Sequence, residues 1–105
     1  MMYPKPTYKR KRTKIQRITM QDTKECYVTG RTDVEEHHCI YGKNHKNADI
    51  YGLTVWLVAE YHRGIYGVHN GNTALDTELK QLAQRKFEEV YGHEKWMNEF
   101  ERNYL

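Results

Sequence analysis

Six histidines stand out in this chain of 105 residues, because imidazole can ligate a metal ion or move a proton near neutral pH. Four of them occur where a fold could bring them together: at the end of a strand-like stretch, after the most apolar segment, and after a glycine-flanked turn. In that order they are His37 and His38, His62, and His69. His45, in a polar stretch, and His93, near the start of a helical pattern, are interpreted as surface residues.

The adjacent pair His37 and His38 sets a condition on the structure. Two imidazoles inside a strand cost burial free energy unless something binds them. Neighbouring side chains of a regular strand point to opposite faces. Both histidines can therefore serve one site only where the strand ends or bulges.

The elements that must position these side chains follow from the apolar patterning. Three segments are predicted as strands: Cys26–Val28, Val34–Tyr41 and, most strongly, Leu53–Val58. The polar stretch 43–49 between the last two predicts a loop, which ends in a helical turn near Tyr51.

The second half of the chain has a helical period. A short helical turn is expected over 59–63, and a long helix begins near Asn72 or Thr73, either of which can cap it, and ends before Gly92. Its apolar positions are Leu75, Leu79, Leu82, Ala83, Phe87 and Val90. A last helix from about Glu94 has Trp96, Met97 and Phe100 on one face. Short strands followed by two helices predict a small α+β domain.

The charge is concentrated at the beginning of the chain. Residues 1–24 hold eight Lys or Arg residues against one acidic residue, whereas the remainder holds nine basic and thirteen acidic residues. We predict a disordered basic arm over 1–24 and a folded domain over 25–105. Such an arm suits a polyanion, and its candidate nucleic-acid contacts are Lys9, Arg10, Lys11, Arg12, Lys14 and Arg17. A solvated tail without a partner is the alternative.

Length and composition exclude several classes of protein. No apolar run approaches the roughly 18 residues of a membrane span, and no apolar stretch follows the first basic residues as in a secretory signal. The chain is too short for a TIM barrel or a Rossmann domain. The two cysteines are expected to be free thiols of a cytoplasmic protein.

The ordered set of histidine motifs resembles small phage proteins of the HNH type, which belong to the His-Me finger (ββα-metal) endonucleases. The resemblance covers roughly 25–105. The segments that carry it are Glu36–Gly42, Tyr51–Leu57, Tyr61–Arg63, Gly67–Asn70 and the stretch from Leu79 to Leu105.

The resemblance implies a fold, a site and an activity. It implies a ββα-metal core in which one divalent ion, Mg or Mn before Ni or Zn, is held by His37, His62 and His69. It makes His38 the general base that activates water, and gives Arg63 a role at the phosphate. The implied function is that of a metal-dependent phage DNA endonuclease in recombination, DNA processing or packaging. DNA is the expected partner, with a phage or host recombination or packaging protein as a further candidate.

The chain departs from the family pattern at three places. One is the spacing of His62 and His69, which are seven residues apart instead of one helical turn, so the loop 64–67 must fold back for both to bind one ion. Gly52 and Leu53 stand where the middle Asn of the motif would orient the base, so Asn44 or Asn47 is a candidate replacement. Many HNH fingers also carry two Cys-x-x-Cys knuckles. Here only Cys26 of those four cysteines remains, so no structural zinc knuckle is predicted.

Two other functions remain open from the residues. The first is a non-catalytic DNA-binding module with a structural zinc closed by His37, His38, His62 and His69, whereas an open coordination position with His38 free of the metal favours the enzyme. The second is a protein-interaction face around Trp96, Met97 and Phe100, although those residues are more simply explained as core. Glu35 and Glu36 resemble a solvated patch, but a carboxylate there could hold an imidazole tautomer.

Overall fold

The computed structural model describes residues 15–105. Two antiparallel strands and four α-helices make up this part of the chain, which confirms the small α+β class. In chain order the elements are β1 (Val34–His38), α1 (His45–Tyr51), β2 (Thr54–Val58), α2 (Ala59–His62), α3 (Thr73–Tyr91) and α4 (His93–Phe100). Two 3₁₀ turns, Gly42–Asn44 and Val68–Asn70, precede α1 and α3. None of the described helices is both long and apolar enough to cross a bilayer.

The two strands form a regular ladder that fixes where the adjacent histidines point. His37 pairs with Val55 and His38 with Thr54. Because side chains alternate along a strand, the two imidazoles leave β1 on opposite faces. His37 is 1% exposed, whereas His38 is only partly buried.

The long helix α3 and the last helix α4 supply most of the aromatic core. Asn72 caps α3 by accepting a hydrogen bond from the backbone N–H of Leu75, as predicted. Trp96 stacks on Phe100 with 4.2 Å between ring centroids and meets Phe87 edge-on at 5.3 Å. Trp96 and Phe100 are buried and Met97 packs against the core, so these residues are core, as expected, and the alternative of a partner-binding face is wrong.

The core extends further toward the beginning of the chain than the expected boundary at residue 24. Ile18 and Met20 are buried, and the Ile18 N–H donates to the carbonyl of Tyr51. Gly52 makes this contact possible, because a Cβ there would lie 2.6 Å from the Ile18 carbonyl oxygen. The segment from Ile18 on is therefore part of the folded domain and not of a disordered arm.

The predicted strand Cys26–Val28 is wrong. The chain turns there instead: the Gly30 N–H donates to the Cys26 carbonyl, and the Cys26 thiol accepts the N–H groups of Thr29 and Val58 at 3.4 Å each. A side-chain acceptor at the centre of a tight turn outweighs the strand propensity of three residues.

Two further boundaries differ from those predicted. The strand expected over 34–41 ends at His38, where the chain bends. The expected loop at 43–49 is mostly helical, since α1 runs from His45 to Tyr51. That helix buries only Ala48 and Tyr51, too few residues to show a period in the sequence.

Candidate metal centre

Three of the predicted metal ligands meet at one point of the fold. His37, His62 and His69 each offer one ring nitrogen, and these nitrogens lie within 4.8 Å of one another. Their ring centroids are 5.0 to 5.2 Å apart. Zinc–nitrogen bonds are about 2.0–2.1 Å long, so a small inward rotation of the rings lets one ion contact all three residues.

His37 has the environment of a metal ligand. It is buried, and neither of its ring nitrogens has a hydrogen-bond partner in the part of the chain that the structure describes. Burial, followed by the proximity of His62 and His69, lowers its pKa to about 3, so the ring is neutral at pH 7. Each buried polar atom without a partner costs about 1–3 kcal/mol, and a metal bond would remove one such cost.

The second candidate ligand, His62, is held by a carboxylate. Its Nδ1 lies 2.7 Å from Glu35 Oε1. Hydrogen bonds from Arg63 and then from His62 lower the pKa of Glu35 to about 2, so the carboxylate is ionised and only accepts. The hydrogen is therefore on Nδ1, which leaves Nε2 of the neutral ring as the nitrogen that could bind a metal. Carboxylate–histidine pairs of this kind orient imidazole ligands in metal sites.

The loop between His62 and His69 folds back on itself, as the seven-residue spacing requires. Gly67 passes directly over the end of α2, where a Cβ would lie 2.8 Å from the His62 carbonyl oxygen. The side-chain amides of Asn70 and Asn72 donate to the carbonyls of Gly64 and Tyr66. His69 is thereby brought to His62, and burial, followed by the proximity of His62, lowers the pKa of His69.

A polar network borders the cluster on the side of α3. The Tyr41 ring lies 5.1 Å from the ring of His69 and 6.1 Å from that of His37. Its hydroxyl donates to Asp76 at 2.9 Å, and Asp76 pairs with Lys80 at 2.8 Å. This network places a largely buried carboxylate and an ammonium group next to the histidines.

The structure leaves His38 outside the cluster. Its Nε2 lies 3.0 Å from Asp49 Oδ1 on α1, and its ring is 4.0 Å from that of His45. The candidates for orienting it, Asn44 and Asn47, instead donate to the carbonyls of Phe100 and Glu99. Asp49 is therefore the residue that holds His38.

The predicted phosphate-binding cations have separate positions. Arg63 is exposed and bound to Glu35, with Nε 2.9 Å from Oε1. Arg17 donates to the carbonyls of Asp49 and Ile50 at the end of α1, which is a structural contact. The other candidate contacts, Lys9, Arg10, Lys11, Arg12 and Lys14, lie outside the described residues.

Sequence reasoning missed four residues of this region: Tyr41, Asp49, Asp76 and Lys80. The i, i+4 spacing of Asp76 and Lys80 on a predicted helix was a usable signal for their ion pair. No pattern in the sequence indicated that Asp49 would face His38, because α1 itself was not predicted.

Comparison with protein-family models, with curated proteins and with solved structures finds no match to the chain. Its function is therefore argued from its own side chains.

Proposed function

We propose that the protein is a metal-dependent DNA endonuclease that hydrolyses phosphodiester bonds at the three-histidine cluster. The observation that supports this proposal best is the convergence of His37, His62 and His69. Three imidazole ligands leave coordination positions for water and substrate, as in catalytic metal sites, whereas structural zinc sites are closed by four protein ligands. When bound there, a divalent ion would polarise a phosphate oxygen and stabilise the leaving oxygen.

In this proposal His38 is the general base. The hydrogen bond from His38 lowers the pKa of Asp49, so the carboxylate accepts the hydrogen of Nε2, and in the neutral ring Nδ1 carries the lone pair that could take a proton from water. His38 leaves β1 one residue after the ligand His37, and the strand ends there. His38 leaves the strand on the face opposite His37, so in this proposal it reaches the water at the ion from the end of β1, and a base that is not bound to the ion is free to accept a proton.

DNA is the proposed substrate because of charge. The chain begins with an excess of lysine and arginine, and each phosphate that such residues neutralise releases counterions and strengthens binding. Arg63 lies next to the cluster and is mostly exposed, so it can exchange Glu35 for a phosphate.

Plasmid cleavage tests the proposal. The purified full chain is incubated with supercoiled plasmid and Mg, Mn, Ni or Zn. A reaction that contains a chelator is the metal-free control. We expect metal-dependent nicking, and a loss of about 100-fold or more in the His38→Ala variant, since general-base catalysis contributes roughly 10²–10⁴-fold. His37→Ala should lose metal binding as well, measured by calorimetry.

His93→Ala is the matched control, because His93 is an exposed histidine whose one ionic partner among residues 15–105 is Glu88. It should cleave like the wild type. If His38→Ala still cleaves the plasmid, His38 is not the general base. If the protein binds zinc tightly and unfolds in chelator but cleaves no DNA, the proposal is wrong and the alternative, a DNA-binding module stabilised by zinc, is supported.

A further inference from the structure

A groove of about 340 Å³ lies beside the histidine cluster. One wall is the turn that follows β1, with Tyr41 and Lys43, and the other is the segment that follows α4, with Arg102 and Tyr104. Tyr41 belongs to both places, since its ring also packs against His69. The groove and the cluster are therefore adjacent.

The second wall is held firmly in place. Glu101 turns the chain back with φ of 61°, a left-handed conformation that side chains other than glycine rarely adopt. The buried side chain of Gln84 then accepts the Tyr104 N–H at 2.7 Å and donates to Asn103. The indole of Trp96 donates to the Arg102 carbonyl at 2.7 Å. Strained backbone persists only where surrounding contacts fix it. The segment that forms this wall therefore has one defined conformation.

The groove combines positive charge with aromatic rings. The Lys80 ammonium lies 4.7 Å from the ring centroid of Tyr41 and 5.6 Å from that of Tyr104. Lys43 and Arg102 are exposed at the rim. Lys43 pairs with Glu101 at 3.2 Å, but both side chains are largely exposed, so the pair is weak and a phosphate can displace the carboxylate.

We propose that this groove holds one unpaired nucleotide of the DNA strand, next to the phosphate that lies at the cluster. Its phosphate contacts Lys43 and Arg102, and its base takes the place of the Arg102 guanidinium, which lies 5.6 Å from the centroid of the Tyr104 ring. Sites for single-stranded nucleic acid join cations and aromatic rings in this way, and the volume is at the small end of ligand cavities. The inference rests on the proposed nuclease function and adds a substrate class: DNA with an unpaired nucleotide beside the cleavage point.

The test measures binding of a labelled single-stranded oligonucleotide and of the corresponding duplex by fluorescence anisotropy. The full chain is used in chelator, so that nothing is cleaved. Tyr104→Leu should weaken single-strand binding about tenfold, since stacking on an aromatic ring is lost, and change duplex binding less than twofold. Arg102→Gln should lower the salt slope for the single strand by about 0.7, the value for one phosphate contact.

Two controls accompany these variants. Arg85→Gln removes an exposed arginine of α3 that does not line the groove, and it should change neither the affinity nor the slope. Tyr104→Phe keeps the ring and should bind like the wild type, which separates loss of stacking from loss of fold.

The proposal is overturned if Tyr104→Leu binds the single strand like the wild type, or weakens both DNAs equally. If the wild type cleaves plasmid while the groove variants bind DNA with wild-type affinity, the proposal for the groove is wrong and the proposed nuclease function is unaffected. If the wild type neither binds nor cleaves DNA, both fail.

Discussion

At the scale of single residues, His37 is the side chain of the cluster whose pKa the fold changes most. It is neutral, buried and without a hydrogen-bond partner among residues 15–105. In the unfolded chain it titrates near pH 6.5, whereas burial lowers its folded pKa to about 3. Between these values the unfolded state binds more protons, so the metal-free protein loses stability as the pH falls.

This pH dependence gives the first prediction. In chelator, the free energy of unfolding should fall by about 1–2 kcal/mol from pH 6.5 to pH 5 because of His37, near the limit of 1.36 kcal/mol per unit for one group. The range stays above the ordinary pKa of Glu35, whose stabilising charge is lost only at lower pH. Urea unfolding of His37→Leu should show a shallower slope. An unchanged slope would mean that His37 is not buried as a neutral ring.

A second prediction concerns Glu35, which fixes the tautomer of His62. Glu35→Ala should lower zinc affinity by about 10–100-fold, the usual effect of removing a carboxylate behind a ligating histidine. Isothermal titration with zinc measures it. Glu36→Ala is the matched control, because Glu36 is the exposed neighbour on the other face of β1. Equal losses in both variants would indicate general electrostatics instead of a specific hydrogen bond.

At the scale of elements, a helix or strand could be predicted from the sequence when many of its residues follow one apolar pattern. The helix α3 has nineteen residues, and both its period and its Asn72 cap were visible. The histidines could be placed near each other because β2 and α2 follow one another directly. The position of Asp49 could not be predicted, because α1 buries only two side chains and its hydrogen bond to His38 spans eleven residues.

The loop between α2 and the turn Val68–Asn70 leads to the third prediction. Gly67→Ala places a methyl group against the backbone at the end of α2, which must shift and carry His69 away from His62. We expect a loss of both stability, by about 1–3 kcal/mol, and zinc affinity, measured by thermal unfolding and calorimetry.

Gly30→Ala serves as the comparison for that loop. Gly30 also has a constrained backbone, with φ of 79°, but open space around its missing Cβ. Its alanine variant should lose about 1 kcal/mol of stability and keep its zinc affinity. If Gly67→Ala also kept its zinc affinity, the glycine would matter for the loop and not for the cluster.

At the scale of the whole molecule, the basic beginning of the chain and the folded domain overlap more than the sequence indicated. Ile18 and Met20 belong to the core, and Arg17 is bound to the end of α1. A deletion of residues 1–20 would therefore remove core side chains and confuse loss of fold with loss of DNA contacts. The cations that can be removed without touching the described core lie within residues 1–14.

Deletion of residues 1–14 is the last prediction, and it removes six Lys or Arg residues. If these residues contact phosphates, each contact contributes about 0.9 to the slope of log affinity against log salt for duplex DNA. The truncated protein should therefore bind DNA more weakly with a slope several units shallower, while zinc affinity and thermal unfolding stay the same. Anisotropy titrations at three salt concentrations measure the slope. A slope equal to that of the full chain would place the DNA contacts on the folded domain, where Arg63, Lys43 and Arg102 would have to supply them.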